Sequence, residues 1–177
     1  TVGDVRMGSL NGGQLAGFRN QLINGNMEIV QRGAAGASGV TKVYTCDRWY
    51  VHSDGNYTWD QVEATEDMKA AGFPYALRVR NAANTYQIRQ CVELPGTGNA
   101  GIFVPGSQWT LSVYSNAPLN AKVEFRITSA GTASDLTEVI PYNEMTSLGG
   151  SRYSLSFTFP NVVPQATAQC LVISFTR

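Results

Sequence analysis

Aromatic and polar residues alternate in one segment of the sequence in a way that suits sugar binding. Tyr57, Trp59 and Gln61 are two positions apart, so in a β-strand their side chains share one face. A phenol or indole ring stacks on the apolar CH face of a sugar, and a neighbouring amide hydrogen-bonds its hydroxyls. The spacing makes these three residues candidate carbohydrate ligands. The alternative interpretation is that this face belongs to the core or to a subunit contact.

Carboxylates near turns are candidate ligands for a structural calcium ion, which takes about six to eight oxygens from side chains and loop carbonyls. Glu28, Asp47 and Asp54 are the candidates. Their spacing specifies no particular ion, so a hydrogen-bonded loop is the default interpretation. We predict no other cofactor, because the single histidine, His52, and three dispersed cysteines do not form a zinc pattern.

Patterns typical of enzymes lack the context that catalysis needs. The glycine-rich run 96–101 has the residue pattern of a dinucleotide-binding fingerprint. That fingerprint requires a helix directly after it, and Pro105 follows too soon for such a helix to form. The adjacent residues His52, Ser53 and Asp54 do not make a triad, which normally joins separate loops. We therefore predict that the protein is not an enzyme. A polysaccharide hydrolase is the catalytic alternative, and its candidate carboxylates are Asp60, Glu63, Glu66 and Asp67.

Composition narrows the class of protein. The 177 residues fit one domain, and 13 basic residues balance 13 acidic ones, so no basic field exists to hold nucleic acid. The sequence contains no run of about 18 apolar residues, so no membrane span is predicted. The first ten residues do not resemble a secretory signal. The odd number of cysteines predicts buried thiols and synthesis in a reducing cytosol.

Short alternating segments, separated by Gly, Pro, Asn and Asp, occupy the chain from residue 21 onward. They predict an all-β fold: a two-sheet antiparallel β-sandwich or jelly roll over 21–177, preceded by a glycine-rich N-terminal arm or connector over 1–20. A helix over 60–71 is the alternative for that segment. The predicted strands are 27–32, 42–52, 57–63, 76–80, 86–93, 109–115, 121–129, 137–140, 152–159 and 168–176.

The sequence resembles bacteriophage tail-fibre and related virion proteins. The resemblance begins with the run 20–33, Asn-Gln-Leu-Ile-Asn-Gly-Asn-Met-Glu-Ile-Val-Gln-Arg-Gly, and continues with Asp47-Arg48-Trp49. Segments 86–93 and 109–114 resemble later strands of that family, so the resemblance extends over about residues 20 to 176. The strand texture is also similar to that of galactose-binding-like, jelly-roll carbohydrate-binding modules.

The resemblance implies a virion structural protein, made in the host cytoplasm, that contacts other virion proteins. It implies a tail-fibre domain that binds host-surface glycan, and a homotrimer, because fibres of this kind are usually trimers. The alternative is a capsid or tail decoration or connecting protein with a purely structural role. The resemblance transfers no ligand-binding residue.

The residues of the motif also have a physical interpretation of their own. Asn24-Gly25 is a turn pair, and an alternating strand follows it. We expect an ion pair among Arg32, Asp47 and Arg48 to hold the first strands together. The motif is therefore predicted to be structural.

Overall fold

The computed structural model describes residues 20–38, 42–53, 55–80, 86–96, 100–126, 136–164 and 166–177. The predicted arm over 1–20, apart from Asn20, lies outside these residues, as does Asp54. The described part contains one short helix, α1 (Glu66–Ala70), and these strands: β1 (Ala35–Ser38), β2 (Lys42–Tyr44), β3 (Trp49–Ser53), β4 (Tyr57–Glu63), β5 (Tyr75–Arg80), β6 (Tyr86–Glu93), β7 (Gln108–Tyr114), β8 (Asn120–Arg126), β9 (Leu136–Glu144), β10 (Thr146–Ser147), β11 (Arg152–Thr158) and β12 (Cys170–Thr176).

The strands form three sheets in which every pairing is antiparallel. A six-stranded sheet has the order β2-β3-β6-β12-β8-β9, and two three-stranded sheets have the orders β1-β4-β5 and β10-β11-β7. The smaller sheets pack against the large one through apolar side chains. The protein is therefore an all-β sandwich, as the sequence predicted.

The core lies between the six-stranded sheet and the two smaller ones. One cluster joins β7 and β11 to the large sheet and includes Leu111, Phe125 and Ile173. A second cluster joins the β1-β4-β5 sheet to the large sheet. Ile88 of β6 packs against both clusters, so the two smaller sheets cover the same face of the large sheet. We call the opposite face of the six-stranded sheet the outer face.

The predicted strand over 27–32 is wrong, because this segment forms turns instead. The Asn24 side chain accepts from the Ile29 amide at 3.0 Å and donates to the Ile29 carbonyl at 2.9 Å. A side chain of this type competes with a sheet ladder for backbone partners. Asn24 and Met27 have φ angles of 52° and 57°, which no strand accommodates.

Two further differences concern turns and short strands. The predicted strand 42–52 is a hairpin of β2 and β3, in which Arg48 adopts a φ of 71° and Thr45 N donates to Trp49 O at 2.9 Å. Strands β1 and β10 were not predicted. Helix α1 occupies only the end of the helical alternative, since β4 continues to Glu63.

Candidate functional site

The predicted sugar ligands on β4 lie inside the sandwich. Tyr57 and Trp59 are 3% and 4% exposed and pack with Val51 of β3. Gly36 of β1 lies against the indole, where an added Cβ would be 2.7 Å from Trp59 Nε1. The rings present no open face to a sugar, as the core interpretation predicts, and a sugar-binding role for Tyr57, Trp59 and Gln61 stays a prediction. Gln61 donates to the Met27 carbonyl at 2.6 Å.

The candidate calcium ligands do not gather around a common point. The Asp47 carboxylate accepts from the Gln31 amide at 3.2 Å, and Glu28 is exposed. Within the described ranges, no group of three His, Cys, Asp or Glu side chains is placed to hold a metal ion. The third candidate, Asp54, lies outside those ranges, and the calcium site stays a prediction.

The expected ion pair among Arg32, Asp47 and Arg48 is wrong. Arg48 lies 3.0 Å from Glu93 instead, and the Arg32 guanidinium lies 5.0 Å from the centre of the Tyr44 ring. Arg48 has a positive φ in the turn before β3, and its side chain pairs with Glu93 of β6, while the Asp47 carboxylate accepts from the Gln31 amide.

The motif residues nevertheless form one hydrogen-bonded unit. The Gln90 side-chain amide bonds both the N–H and the C=O of Ile23, at 2.7 and 2.8 Å. The Trp49 indole N–H lies within 3.1 Å of the carbonyls of Ile23 and Asn24. These bonds attach the segment before β1 to the large sheet, so the predicted structural role of the motif is confirmed.

Three of the four carboxylates of the hydrolase alternative, Asp60, Glu63 and Glu66, are engaged in surface ion pairs. Asp60 pairs with Arg78 and Arg80, and Lys69 lies 3.1 and 3.2 Å from Glu63 and Glu66. The hydrogen bond from Arg78 lowers the pKa of Asp60. A general acid for glycoside hydrolysis needs a raised pKa, so Asp60 is poorly suited to that role.

The outer face carries a set of polar residues that the sequence analysis did not select. Register places Tyr44 beside Tyr50, Tyr50 beside Arg89, Arg89 beside Ser174, and Ser174 beside Lys122. These residues cross β2, β3, β6, β12 and β8 in a line. Tyr142 of the edge strand β9 lies next to Lys122, whose ammonium is 5.6 Å from the centre of its ring. We call these six residues the polar row.

Arg89 is the central cation of the polar row, and it is only 5% exposed. Its guanidinium donates to Gln87 Oε1, and hydrogen bonds from it lower the pKa values of the Tyr50 and Tyr142 hydroxyls against the larger effect of burial. All three acceptors are neutral. In the described part of the chain, Arg89 Nε has no hydrogen-bond partner and no carboxylate pairs with this guanidinium. Buried charges are ordinarily paired, so this arrangement is costly.

The nearby buried carboxylate, Glu124, is already paired with two other cations. Its Oε1 lies 2.5 Å from Arg126 Nε and its Oε2 lies 3.0 Å from Lys122 Nζ. Burial raises the pKa of Glu124, but the hydrogen bonds from Arg126 and Lys122 outweigh burial and lower that pKa. Lys122 also lies 3.1 Å from Glu138. Glu124 is therefore ionised at neutral pH and is not the counterion of Arg89.

The tyrosines of the polar row differ in exposure. Tyr50 lies inside the polar row and is buried. Tyr44 and Tyr142 lie at the two ends of the row and are 39% and 40% exposed. Burial raises the pKa of Tyr50 and of Tyr142, so both hydroxyls keep their protons at neutral pH. The row thus has a half-exposed ring at each end and buried polar groups between them.

The sequence of β8 contains a pattern that could have indicated this polar face. In the run Ala121 to Arg126 apolar and charged residues alternate strictly, which directs Lys122, Glu124 and Arg126 to one face. Three charged residues in that pattern mark a face that is not an ordinary core face. Arg89 had a weaker signal, because its strand also directs the polar residue Gln90 inward.

Comparison with known proteins gave no family model, no curated protein and no solved structure that matches this chain. None of the helices in the described ranges is long and apolar enough to span a membrane. The function is therefore inferred from the residues of the chain itself.

Proposed function

We propose that the protein is a non-enzymatic bacteriophage virion subunit, of the tail-fibre type that its sequence resembles, whose sandwich binds host-surface glycan through the outer face. The observation that carries the glycan proposal is the polar row, with the half-exposed rings of Tyr44 and Tyr142 at its ends. Phenol rings stack on sugars, and the partly exposed ammonium of Lys122, beside Tyr142, is placed to donate hydrogen bonds to sugar hydroxyls.

The size of the row suits an extended saccharide. Strands in a sheet lie about 4.8 Å apart, so β2 and β9, at opposite edges of the sheet, are about 24 Å apart. A ligand that touches Tyr44 and Tyr142 together is therefore a chain of several sugar units. A monosaccharide reaches one end of the row only.

The test is a binding measurement with oligosaccharides prepared from the host surface. Tyr44→Ala and Tyr142→Ala each remove one stacking ring, and we expect each to weaken binding about tenfold. Tyr75→Ala is the matched control, because Tyr75 is equally exposed, at 40%, but lies on the β1-β4-β5 sheet. If no glycan binds at millimolar concentration, or if the control weakens binding equally, the proposal fails.

A purely structural decoration or connecting subunit is the second candidate, and exposed apolar side chains favour it. Ile102 and Val104 are exposed on the loop before β7, and Val163 is exposed on the loop after β11. The two loops are joined by the bond from Gly106 N to Phe159 O, 2.8 Å long. Exposed apolar groups on one end of a domain suit a contact with another virion protein.

The two candidates predict different consequences for one variant. Val163→Asp places a charge on the apolar loop, so under the structural role it prevents incorporation into the virion without changing the fold. Under the glycan-binding role it leaves oligosaccharide affinity unchanged. Sedimentation equilibrium tests the accompanying proposal of a homotrimer, which a monomeric mass at micromolar concentration would contradict.

A further inference from the structure

We infer that the exposed face of the β1-β4-β5 sheet binds the phosphate monoester group of a phosphorylated sugar. The residues that carry the inference are Thr58 and Asp60 of β4 and Arg78 and Arg80 of β5, which we call the arginine site. This site lies on a different sheet from the polar row. The phosphate group is inferred from the arginine site alone, whereas its attachment to a sugar rests on the proposed function.

Strand register places the four residues of the arginine site in one block. Thr58 is the direct partner of Arg80, and Asp60 is the direct partner of Arg78. Trp59, between Thr58 and Asp60 in the sequence, packs into the core. Because side chains alternate across a strand, the residues of the arginine site point away from the core.

The arginine site is open to solvent. The side chains of Arg78 and Arg80 are 48% and 55% exposed, and Thr58 is exposed as well. The register partner of Thr58 on β1 is Ala37, which is also exposed and whose methyl group is too short to cover the neighbouring strand. A ligand therefore reaches both guanidinium groups from solvent.

The arginine site carries more positive than negative charge. Asp60 Oδ2 accepts hydrogen bonds from Nη2 of both Arg78 and Arg80, so two cations share one carboxylate. The hydrogen bond from Arg78 lowers the pKa of Asp60, which is therefore ionised at neutral pH. The other ion-pair clusters of the described residues contain at least as many carboxylates as cations. The excess positive charge of the arginine site attracts an anion.

The donors that Asp60 does not use fit a phosphate monoester. Arg78 donates from Nε and Nη2 to the two oxygens of Asp60, whereas Arg80 donates from Nη2 alone, at 3.3 Å. Arg80 Nε and Nη1, Arg78 Nη1 and the Thr58 hydroxyl are then available to a ligand, and they belong to three separate groups. A phosphate monoester has three terminal oxygens, one for each group. A phosphodiester and a carboxylate have only two, so the arginine site favours the monoester.

Calorimetric titration of the full chain tests the site with mannose 6-phosphate, mannose and dimethyl phosphate. These supply a monoester, the same sugar without phosphate, and a diester. We expect the monoester to bind at least about tenfold more tightly than the other two. Its affinity should rise between about pH 5 and pH 7.5, because the phosphate loses its second proton near pH 6 while Asp60 stays ionised. Equal binding of dimethyl phosphate, or an affinity that does not change with pH, would overturn the monoester assignment.

Three variants connect phosphate binding to the arginine site. Arg80→Gln should weaken the binding of mannose 6-phosphate at least about fivefold. Asp60→Asn removes the carboxylate that competes with the ligand, so it should strengthen binding about threefold. A lower affinity of Asp60→Asn would contradict the charge argument. Arg48→Gln is the matched control, because Arg48 is 52% exposed but pairs with a single carboxylate, that of Glu93, and it should leave the affinity unchanged.

The outcomes separate this inference from the proposed function. If mannose 6-phosphate binds no better than mannose, or if Arg80→Gln keeps its affinity, the arginine site is wrong and glycan binding through the outer face stands. If vesicles of phosphatidylglycerol bind through Arg80 and mannose 6-phosphate does not, the ligand is a membrane surface and the inference fails. If mannose 6-phosphate binds through Arg80 while host oligosaccharides do not bind through Tyr44 and Tyr142, the arginine site stands and the proposed function fails.

Discussion

Arg89 on β6 and Ser174 on β12 are direct register partners on the outer face, and both are buried. In the described part of the chain, neither Arg89 Nε nor Ser174 Oγ has a hydrogen-bond partner. A guanidinium is thus buried on a face that has no second sheet among the described strands. The stability of this face therefore depends on the polar groups that surround Arg89.

Tyr50 tests how much the neutral acceptors contribute to holding Arg89. Tyr50→Phe removes one hydroxyl oxygen and leaves a buried guanidinium N–H without its acceptor. We expect the free energy of unfolding to fall by about 1–3 kcal/mol in urea denaturation. The dependence of that free energy on urea concentration should stay unchanged. Tyr75→Phe is the control on an exposed site and should change it by less than about 0.5 kcal/mol. Equal effects of the two substitutions would show that the Tyr50 hydroxyl does not support Arg89.

Gly36 tests the packing that removed Trp59 from the surface. In Gly36→Ala the added Cβ would lie 2.7 Å from Trp59 Nε1, so the buried indole or β1 must move. We expect a loss of about 1–3 kcal/mol in thermal denaturation, with a change in tryptophan fluorescence.

Gly25→Ala is the matched control for Gly36, because a Cβ at Gly25 meets nothing within 4 Å. It should leave the midpoint nearly unchanged. If Gly36→Ala also leaves the denaturation midpoint unchanged, the Trp59 indole has room to move, which would contradict its tight packing against β1.

The sequence predicted the strand bounds where alternation was unbroken, and β4 and β6 agree at both ends. It failed at turns made by ordinary residues: Arg48 adopts a positive φ without a glycine, so the hairpin of β2 and β3 looked like one strand. Period-two spacing shows which side chains share a face. It does not show what covers that face, because the cover comes from distant segments.

The candidate site illustrates the same limit. Tyr57 and Trp59 share a face, as predicted, but β1 and β5 flank β4 and the large sheet packs on its rings. The polar row joins six strands from four separate parts of the sequence, so only pairing register reveals it. Alternation in β8 alone indicated one part of it.

Gln90 tests whether the motif that carries the family resemblance is a structural clamp. Gln90→Leu removes both bonds to Ile23 and leaves the Ile23 backbone groups without their side-chain partner. We expect a loss of about 2–3 kcal/mol and faster hydrogen exchange at Ile23. The control is Gln108→Leu, at an exposed position whose amide bonds only Thr158 Oγ1. Unchanged exchange at Ile23 would contradict the clamp.

Glu124 tests the buried ion pairs beside the polar row, and its effect depends on pH. Glu124→Gln removes the charge that both Lys122 and Arg126 share, so we expect a loss of about 3–5 kcal/mol at pH 7. The pKa of Glu124 is lowered in the folded protein from an ordinary value of 4.5. Its stabilising contribution is therefore complete above that value and disappears as the pH falls through the lower folded value.

The stability difference between the wild-type protein and Glu124→Gln should accordingly be constant between about pH 6 and pH 8, because this whole range lies at least about 1.5 units above the ordinary pKa of 4.5. It should shrink in urea titrations carried out below that pKa, because protonation then removes the charge from the wild-type side chain as well. Glu138→Gln, at an exposed partner of Lys122, should cost less than about 1 kcal/mol at every pH. A difference that grows in acid would mean that burial, rather than the two cations, dominates the pKa of Glu124, and it would contradict the stabilising role of its pairs with Lys122 and Arg126.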